Sequence, residues 1–500
     1  MIVDNDLLSI QHARILAENA VEAQKKLATF SQDKLDAIVT KVAEAVAGEA
    51  HALAVMSAEE TDGGRWQDKL AKNRFVCTAV VDRFMELRCV GVIAEDCEAE
   101  TRDIGVPVGV IVALCPVTSP VSTTIYKALM ALKSGNAIIF SPHPLAAKSI
   151  SHTLELIIET AEASGLPEGC ISYLKPVSKS GTAELMNHPA TALVMVTGVP
   201  GMLASARTSG KPVIYGGTGN GPAFIERSAN IDQAVRDIIS SKTFDNGIAP
   251  SAEQSIVVDA CIAEDVRSAL RRNNAYFMSE KECEALAGLF FRTDGTRRHG
   301  VVGLSAQTLA KRAGFSIPAE TTLLIAERNY VAAEDPYSRE LLSPVLALYV
   351  EADWLDACEK CIELLLHERN SHTLVIHSGD EGVIHQFAMK KPVGRLLVNT
   401  PAAFGGMGAT TNLFPSMILG SGSAGHGITS DNVSPRNLIY VRKVGYGVRG
   451  MNSLTGASVQ YENKRPNSAA SRQLSDSDKE QAIRQILSEA IKALSAPANK

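Results

Sequence analysis

Toward the N-terminus, apolar residues recur at spacings of three and four, the period of a helix packed on one face. Ile10 to Glu49 reads as two helices rich in Ala, Lys and Glu that break near Phe30-Ser31-Gln32. Helical spacing continues over His51 to Glu60 and Asp68 to Met85, on either side of Asp62-Gly63-Gly64. From Arg102 the pattern changes to short apolar runs. Ile104 to Leu114 is a β run interrupted by Gly and Pro, Ala137 to Phe140 a second, Ile171 to Leu174 a third and Ala192 to Val196 a fourth. Helical stretches lie between them at Val121–Lys133 and Ala146–Ser164, and another, Met202–Ser209, follows the fourth and leads to Pro212–Tyr215. Strands alternating with helices predict an α/β fold with a parallel sheet and crossover helices. Ligands of such sheets sit beyond the carboxyl ends of the strands. Three such ends are rich in small or turn residues: Cys115–Pro120, Ser141–Pro144 and Thr197–Gly201.

A second α/β cycle runs from Ala223 to about Gly420, and Leu438–Arg442 is a strand that could pair outside its own domain. The expected division is 1–222, 223–425 and a return segment 426–460. A polar, Ser- and Asn-rich linker follows at 461–476, and then a helix at 477–495. Ser477 and Glu480 form a capping-box pattern, and Ile483, Ile486, Leu487, Ala490, Ile491 and Leu494 share one face. That stripe, beyond a linker, predicts a partner-binding helix.

The stretch Ser241–Gln254, S-K-T-F-D-N-G-I-A-P-S-A-E-Q, ends a helix and turns into the apolar run Ser255–Val258. Asn246-Gly247 stops the helix, Gly supplying a left-handed residue, and Pro250 forbids its resumption.

Composition narrows the partners. With 45% hydrophobic residues and 21% charged, the chain is an ordinary globular protein. Its net charge of -6 and 5% aromatic content lack the basic, stacking footprint of a nucleic-acid binder. The longest apolar runs are too short to span a bilayer, and no cleavable leader is evident near Met1, so a cytoplasmic location is expected. Nine scattered cysteines read as reduced thiols. Cys358-Glu-Lys-Cys361 has no second pair at zinc spacing, and no metal site is expected.

Five segments taken in order carry a resemblance. They are Lys133–Pro144 (K-S-G-N-A-I-I-F-S-P-H-P), Ser241–Gly247, Leu341–Pro344 (L-L-S-P), Ser371–Thr373 (S-H-T) and Asn399–Gly408 (N-T-P-A-A-F-G-G-M-G). From about Ala28 to Val448 the chain resembles the aldehyde dehydrogenase superfamily, in its CoA-acylating branch. That branch holds the ethanolamine- and propanediol-utilisation enzymes and the aldehyde half of bifunctional aldehyde–alcohol dehydrogenases. The resemblance implies a Rossmann-like NAD(P) domain, a catalytic domain, and a β-flap near 100–110 that joins subunits into a dimer or tetramer. It also implies oxidation of a small aldehyde to acyl-CoA, or the reverse, with NAD or NADP as cofactor and coenzyme A as co-substrate. Ser141, Pro142 and His143 match the adenosine-side loop. Thr197, Gly198 and Gly201 match the pyrophosphate loop, with Val199 in place of a glycine. Glu340 matches the carboxylate that holds the nicotinamide ribose, and His372 a histidine near the site, an acid or base for thiol chemistry. Relatives in this branch carry a helix on a linker that sends them into bacterial microcompartments, so shell proteins are expected partners of 477–495.

Two positions depart from the pattern. Counting from Asp245 and from Glu253, the nucleophilic Cys position is Pro250. The Asn that donates to the oxyanion is Ser119, within P-V-T-S-P. Proline has neither a nucleophile nor an N–H. Cys115 is the one cysteine that the resemblance brings near the site, a candidate substitute nucleophile. Ser251 is adjacent to Pro250, but its hydroxyl is far from ionised. The alternative reading is a silent or altered member that binds nucleotide or a structural partner.

Overall fold

The computed structural model describes residues 4–217, 219–292, 295–367 and 372–450. The linker and helix expected at 461–495 lie outside them.

The chain divides into two units, residues 1–94 with 103–442, and residues 95–102 with 443 onward. In the larger, α1 (Asn5–Leu27) starts where the Asp4 carboxylate accepts the N–H groups of Asp6 and Leu7. Helix α2 (Gln32–Thr61) is capped by Ser31 and stops at Asp62 in a left-handed conformation. Next come α3 (Trp66–Phe75), a wider helical turn at Val76–Val80, and α4 (Val81–Met85).

The β run expected over 104–114 is two strands in different sheets. Strand β2 (Thr101–Pro107) lies between β1 (Gly91–Asp96) and a late strand, β15 (Ile439–Gly445), and β3 (Val110–Leu114) begins the next sheet. At the break the Asn136 side chain accepts the Gly109 N–H at 2.9 Å.

Strands β3, β4 (Ile138–Ser141), β5 (Ile171–Tyr173), β6 (Thr191–Thr197) and β7 (Val213–Gly216) form a five-stranded parallel sheet of order β5-β4-β3-β6-β7. Its crossovers include α5 (Pro120–Lys133), α6 (Ala147–Ala163), α7 (Lys179–Asn187) and α8 (Leu203–Thr208). Every residue of α5 is buried, because α2 and α6 also pack against it.

A seven-stranded parallel sheet follows, built on β8 (Pro222–Ile225), β9 (Ser255–Asp259), β10 (Ala275–Phe277), β11 (Leu323–Glu327), β12 (Val345–Glu351), β13 (Thr373–His377) and β14 (Arg395–Val398). Its order is β10-β11-β12-β9-β8-β13-β14. Continuous Val, Ile and Leu runs fit these strands because helices cover both faces. The helix α9 (Ile231–Thr243) leads into the stretch that enters β9. The strand order switches direction around β3 and around β9, and those are the positions where α/β sheets open a crevice.

In the smaller unit, Glu95 accepts from Arg102 at 2.6 Å and the Tyr446 N–H donates to the Glu100 carbonyl at 3.1 Å.

Candidate active site

Helix α9 ends at Thr243, and the next residues take a path that the helix-stop pattern only partly foretold. Asp245 (φ 49°), Asn246 (φ 53°) and Gly247 (φ 75°) are all left-handed. Two non-glycine residues in that region cost about 1–3 kcal/mol each and persist only when their surroundings hold them. Asp245 is so held. Its carboxylate accepts from Lys72 Nζ at 2.6 Å, from Lys69 Nζ at 3.3 Å and from the Arg65 N–H at 2.6 Å. Its own N–H donates to Asp68 at 2.8 Å. Gly64 makes room for this arrangement, since a Cβ there would stand 2.0 Å from Asp245 Oδ1.

The cluster holds two ammonium groups and one carboxylate, nearly all of it out of water. Burial alone would raise the Asp245 carboxyl, but Lys72 and Lys69 hold it below the ordinary carboxylate range. Desolvation pulls Lys69 down to about 8 against the attraction of Asp245. Lys72 makes a further contact, donating to Ser119 Oγ at 2.6 Å. Ser119 is the N-cap of α5, yet its side chain caps no helical N–H, and it is turned to the lysine instead.

Past the left-handed turn the loop continues through Ala249, Pro250 and Ser251. These three line a cavity of about 60 Å³, with Lys72 and Ser119 also in its wall. Other parts of the wall follow strand ends, with Pro116 and Thr118 after β3, Thr197 and Gly198 closing β6, and Gly217 after β7. His372, just ahead of β13, and Met407, Ser416, Met417 and Leu419 add to it. The strand-end loops and the loop entering β9 thus face one small, largely apolar space.

Of the residues expected from sequence, Pro250, Ser119, His372, Thr197 and Gly198 meet there. Thr197 Oγ1 is buried without a hydrogen-bond partner among the described residues. Gly198 (φ 62°) lies so near Pro116 that a Cβ would come within 2.6 Å of its ring. His372 is fully enclosed, and burial with the nearby Arg395 charge drives its imidazole down to about 3. It is therefore neutral near pH 7, its Nδ1 2.7 Å from Thr373 Oγ1.

The remaining candidates lie elsewhere. Ser141 ends β4 with its Oγ 2.8 Å from Thr182 Oγ1, Pro142 is buried, and His143 accepts the Leu145 N–H at 3.2 Å. Gly201 is exposed in a short helical turn. Glu340 is buried outside the cavity wall, accepting the Gly219 N–H at 2.7 Å and pairing with Arg297 at 3.1 Å. Cys115 is buried behind the wall, where Thr124 Oγ1 donates to its sulfur at 3.3 Å and burial raises its thiol above the ordinary range. Ser251 Oγ donates to the Ala403 carbonyl, at 3.4 Å.

Lys69 and Lys72 went unnoticed in the sequence. The one trace was their spacing of three, which puts both on one face of α3. Their partner, Asp245, is far along the chain, and no local pattern announces it.

Comparison with known proteins agrees with this architecture. The family described as "Aldehyde dehydrogenase family" matches residues 7–278. Bifunctional aldehyde-alcohol dehydrogenase AdhE of Escherichia coli (strain K12) is 36% identical over 441 residues, covering 87% of this chain and 49% of that protein. A probable aldehyde dehydrogenase from Listeria monocytogenes EGD-e is 46% identical with a TM-score of 0.88, covering 90% of this chain and 100% of the other. An acetylating aldehyde dehydrogenase from Geobacillus thermoglucosidasius is 42% identical with a TM-score of 0.87, covering 90% and 99%. The chain belongs to the aldehyde dehydrogenase family. It spans about half the length of the first curated relatives that it matches. No helix among the described residues is long and apolar enough to cross a membrane.

Proposed function

We propose that this chain is an NAD(P)-dependent, CoA-acylating aldehyde dehydrogenase that interconverts a small aldehyde and its acyl-CoA. The observation that carries the proposal is the single cavity shared by the Ala249–Ser251 loop, Thr197-Gly198, Ser119 and His372. Its small volume and apolar walls suit a short aldehyde, and its acetylating relative supports CoA as the acyl acceptor. A nicotinamide nucleotide would supply the hydride acceptor. The unpartnered Thr197 hydroxyl and the close, Cβ-free approach at Gly198 suit a nucleotide's phosphates or sugar. Ser141, Pro142, His143, Gly201 and Glu340 complete the cofactor set by their match to the family loops. Exposed Val92, Tyr440 and Val441 on the outer strands support subunit pairing there, as a dimer or tetramer. The pattern at 477–495 supports recruitment to a microcompartment shell.

Pro250 favours a second reading, a member that keeps the scaffold and has lost or changed the thioester step. The two part on one measurement: NAD(P)H formation from short aldehydes with CoA, by the parent and by Pro250→Cys. The substitution supplies a thiol and a backbone N–H together. Restoring one oxyanion donor alone is worth about 10²–10³ in rate, so P250C is expected to exceed the parent by at least that factor. A folded, nucleotide-binding P250C that forms no NAD(P)H would overturn the first reading. A parent rate that survives thiol alkylation would show that no thioester on the enzyme is needed.

A further inference from the structure

The cavity that lacks a cysteine has a second oxygen nucleophile in its wall, and that one is paired with a base. Ser119 Oγ and Lys72 Nζ stand 2.6 Å apart, and both line the cavity facing Pro250. Of the other serines in the wall, Ser251 donates to one backbone carbonyl and Ser416 to two, and among the described residues neither is hydrogen-bonded to a lysine or histidine. Serine–lysine pairs serve as nucleophile and base in hydrolases of unrelated fold. We propose that Ser119 accepts an acyl group from an acyl-CoA thioester, with Lys72 as general base, giving the protein an NAD(P)-independent acyl-CoA hydrolase activity. This rests on the reading of the cavity as an acyl site.

The step balances without a redox partner. Ser119 Oγ attacks the thioester carbonyl while its proton passes to the neutral amine of Lys72. The C–S bond then breaks, and the new ammonium returns the proton to the departing thiolate, leaving an ester on Ser119 and free CoA thiol. Water attacks the ester with Lys72 again taking a proton. The C–O bond to Ser119 breaks as the Lys72 ammonium returns that proton to Ser119 Oγ, and a carboxylic acid leaves. Ester formation from a thioester is downhill, so the missing sulfur nucleophile is no obstacle in this direction.

The surroundings fix where Lys72 points. One carboxylate, Asp245, pairs with both lysines. Lys69 donates to Asp245 and to the Thr118 carbonyl. Asp245 orients both lysines from the far side, and Asp68 closes the cluster behind it. Thr118 and Thr123 also line the cavity.

The test uses the full chain without nucleotide. It is incubated with acetyl-CoA while thiol release is followed, and separately with a fluorophosphonate, with adducts located by peptide mass mapping. A single adduct on the peptide bearing Ser119 is expected, together with thiol release. Both should vanish in Ser119→Ala. Lys72→Met should slow labelling by about 10²–10⁴-fold, the usual contribution of a general base. Because Lys72→Met disturbs a buried cluster, Ser119→Cys provides a second arm. It leaves the lysines in place and should react with iodoacetamide at that position. An adduct that remains in Ser119→Ala, or none at Ser119 in the parent, overturns the inference. A Ser119 adduct without any NAD(P)H from aldehyde would keep it and sink the dehydrogenase reading. NAD(P)H formation with no Ser119 adduct would do the reverse.

Discussion

Asp245→Asn isolates the charge at the centre of the site. Asparagine matches the size of aspartate and tolerates the left-handed backbone, so the perturbation is electrostatic. The side chains of Lys69 and Lys72 are 4% and 3% exposed, and among the described residues neither has another carboxylate within ion-pair distance. Losing the partner of a buried charge costs about 3–5 kcal/mol. A lysine can escape that cost by folding as a neutral amine. At pH 7 this forfeits a proton held with a reference pKa of about 10.4, at about 1.4 kcal/mol per unit, or roughly 5 kcal/mol. At pH 9 the same escape costs only about 2 kcal/mol. A lysine with a depressed folded pKa binds fewer protons folded than unfolded, so its stability contribution rises with pH across that window. The loss in Asp245→Asn should therefore be about 3–5 kcal/mol at pH 7 and shrink by about 2 kcal/mol at pH 9. Urea unfolding followed through Trp66, which opens α3, measures it at both values. Lys72→Met in the same background should recover part of the loss by removing one stranded charge. A loss below about 1 kcal/mol at pH 7, or one independent of pH, would show that the cluster does not hold the turn by charge.

Two further outcomes follow from the neighbouring elements. Burial raises the Glu253 carboxyl to about 7, with the Ser241 hydroxyl and the Ala402 N–H as its hydrogen-bond donors. The folded protein then keeps a proton that the unfolded chain releases near its ordinary carboxylate value, so this group's contribution to stability falls as pH rises toward 7. Glu253→Gln cannot titrate, and its stability relative to the parent should improve by on the order of 1–3 kcal/mol between pH 5 and pH 7.5. A difference that stays constant in denaturant midpoints would remove the carboxyl as its source. Deleting residues 462–500 should leave the midpoint of unfolding unchanged and abolish co-purification with microcompartment shell proteins, and undiminished co-purification would refute the targeting role.

Local chemistry explains what could be read from the chain and what could not. The parallel sheets were legible because buried strands spell themselves as unbroken apolar runs, such as Ile138–Phe140 and Leu193–Val196. The strand-end loops at Thr197 and Pro116 were legible for a similar reason, since turns need small residues and proline. Counting from Asp245 and Glu253 located Pro250, and the loop does reach the cavity. The split of residues 104–114 between two sheets was hidden, because one apolar run serves either strand. So was the enclosure of Cys115, because the partner that faces it, Thr124, is set by how α5 returns against β3. Glu340 is tied to Gly219 and Arg297, contacts fixed by tertiary approach alone.

The lysine cluster shows why the missing thiol does not by itself describe the site. Two non-glycine residues at positive φ would relax if nothing opposed them, and a buried charged cluster would be replaced at little cost by apolar packing. Both persist beside Pro250. Strain and buried charge are kept together where the backbone must present a group in a fixed place. Here the group at the end of that chain of contacts is the Ser119 hydroxyl, reached from Asp245 through Lys72. The loop that carries Pro250 also carries Asp245, whose contact with Lys72 leads to an oxygen of the same cavity wall. That order is the ground on which the proposed chemistry at Ser119 stands.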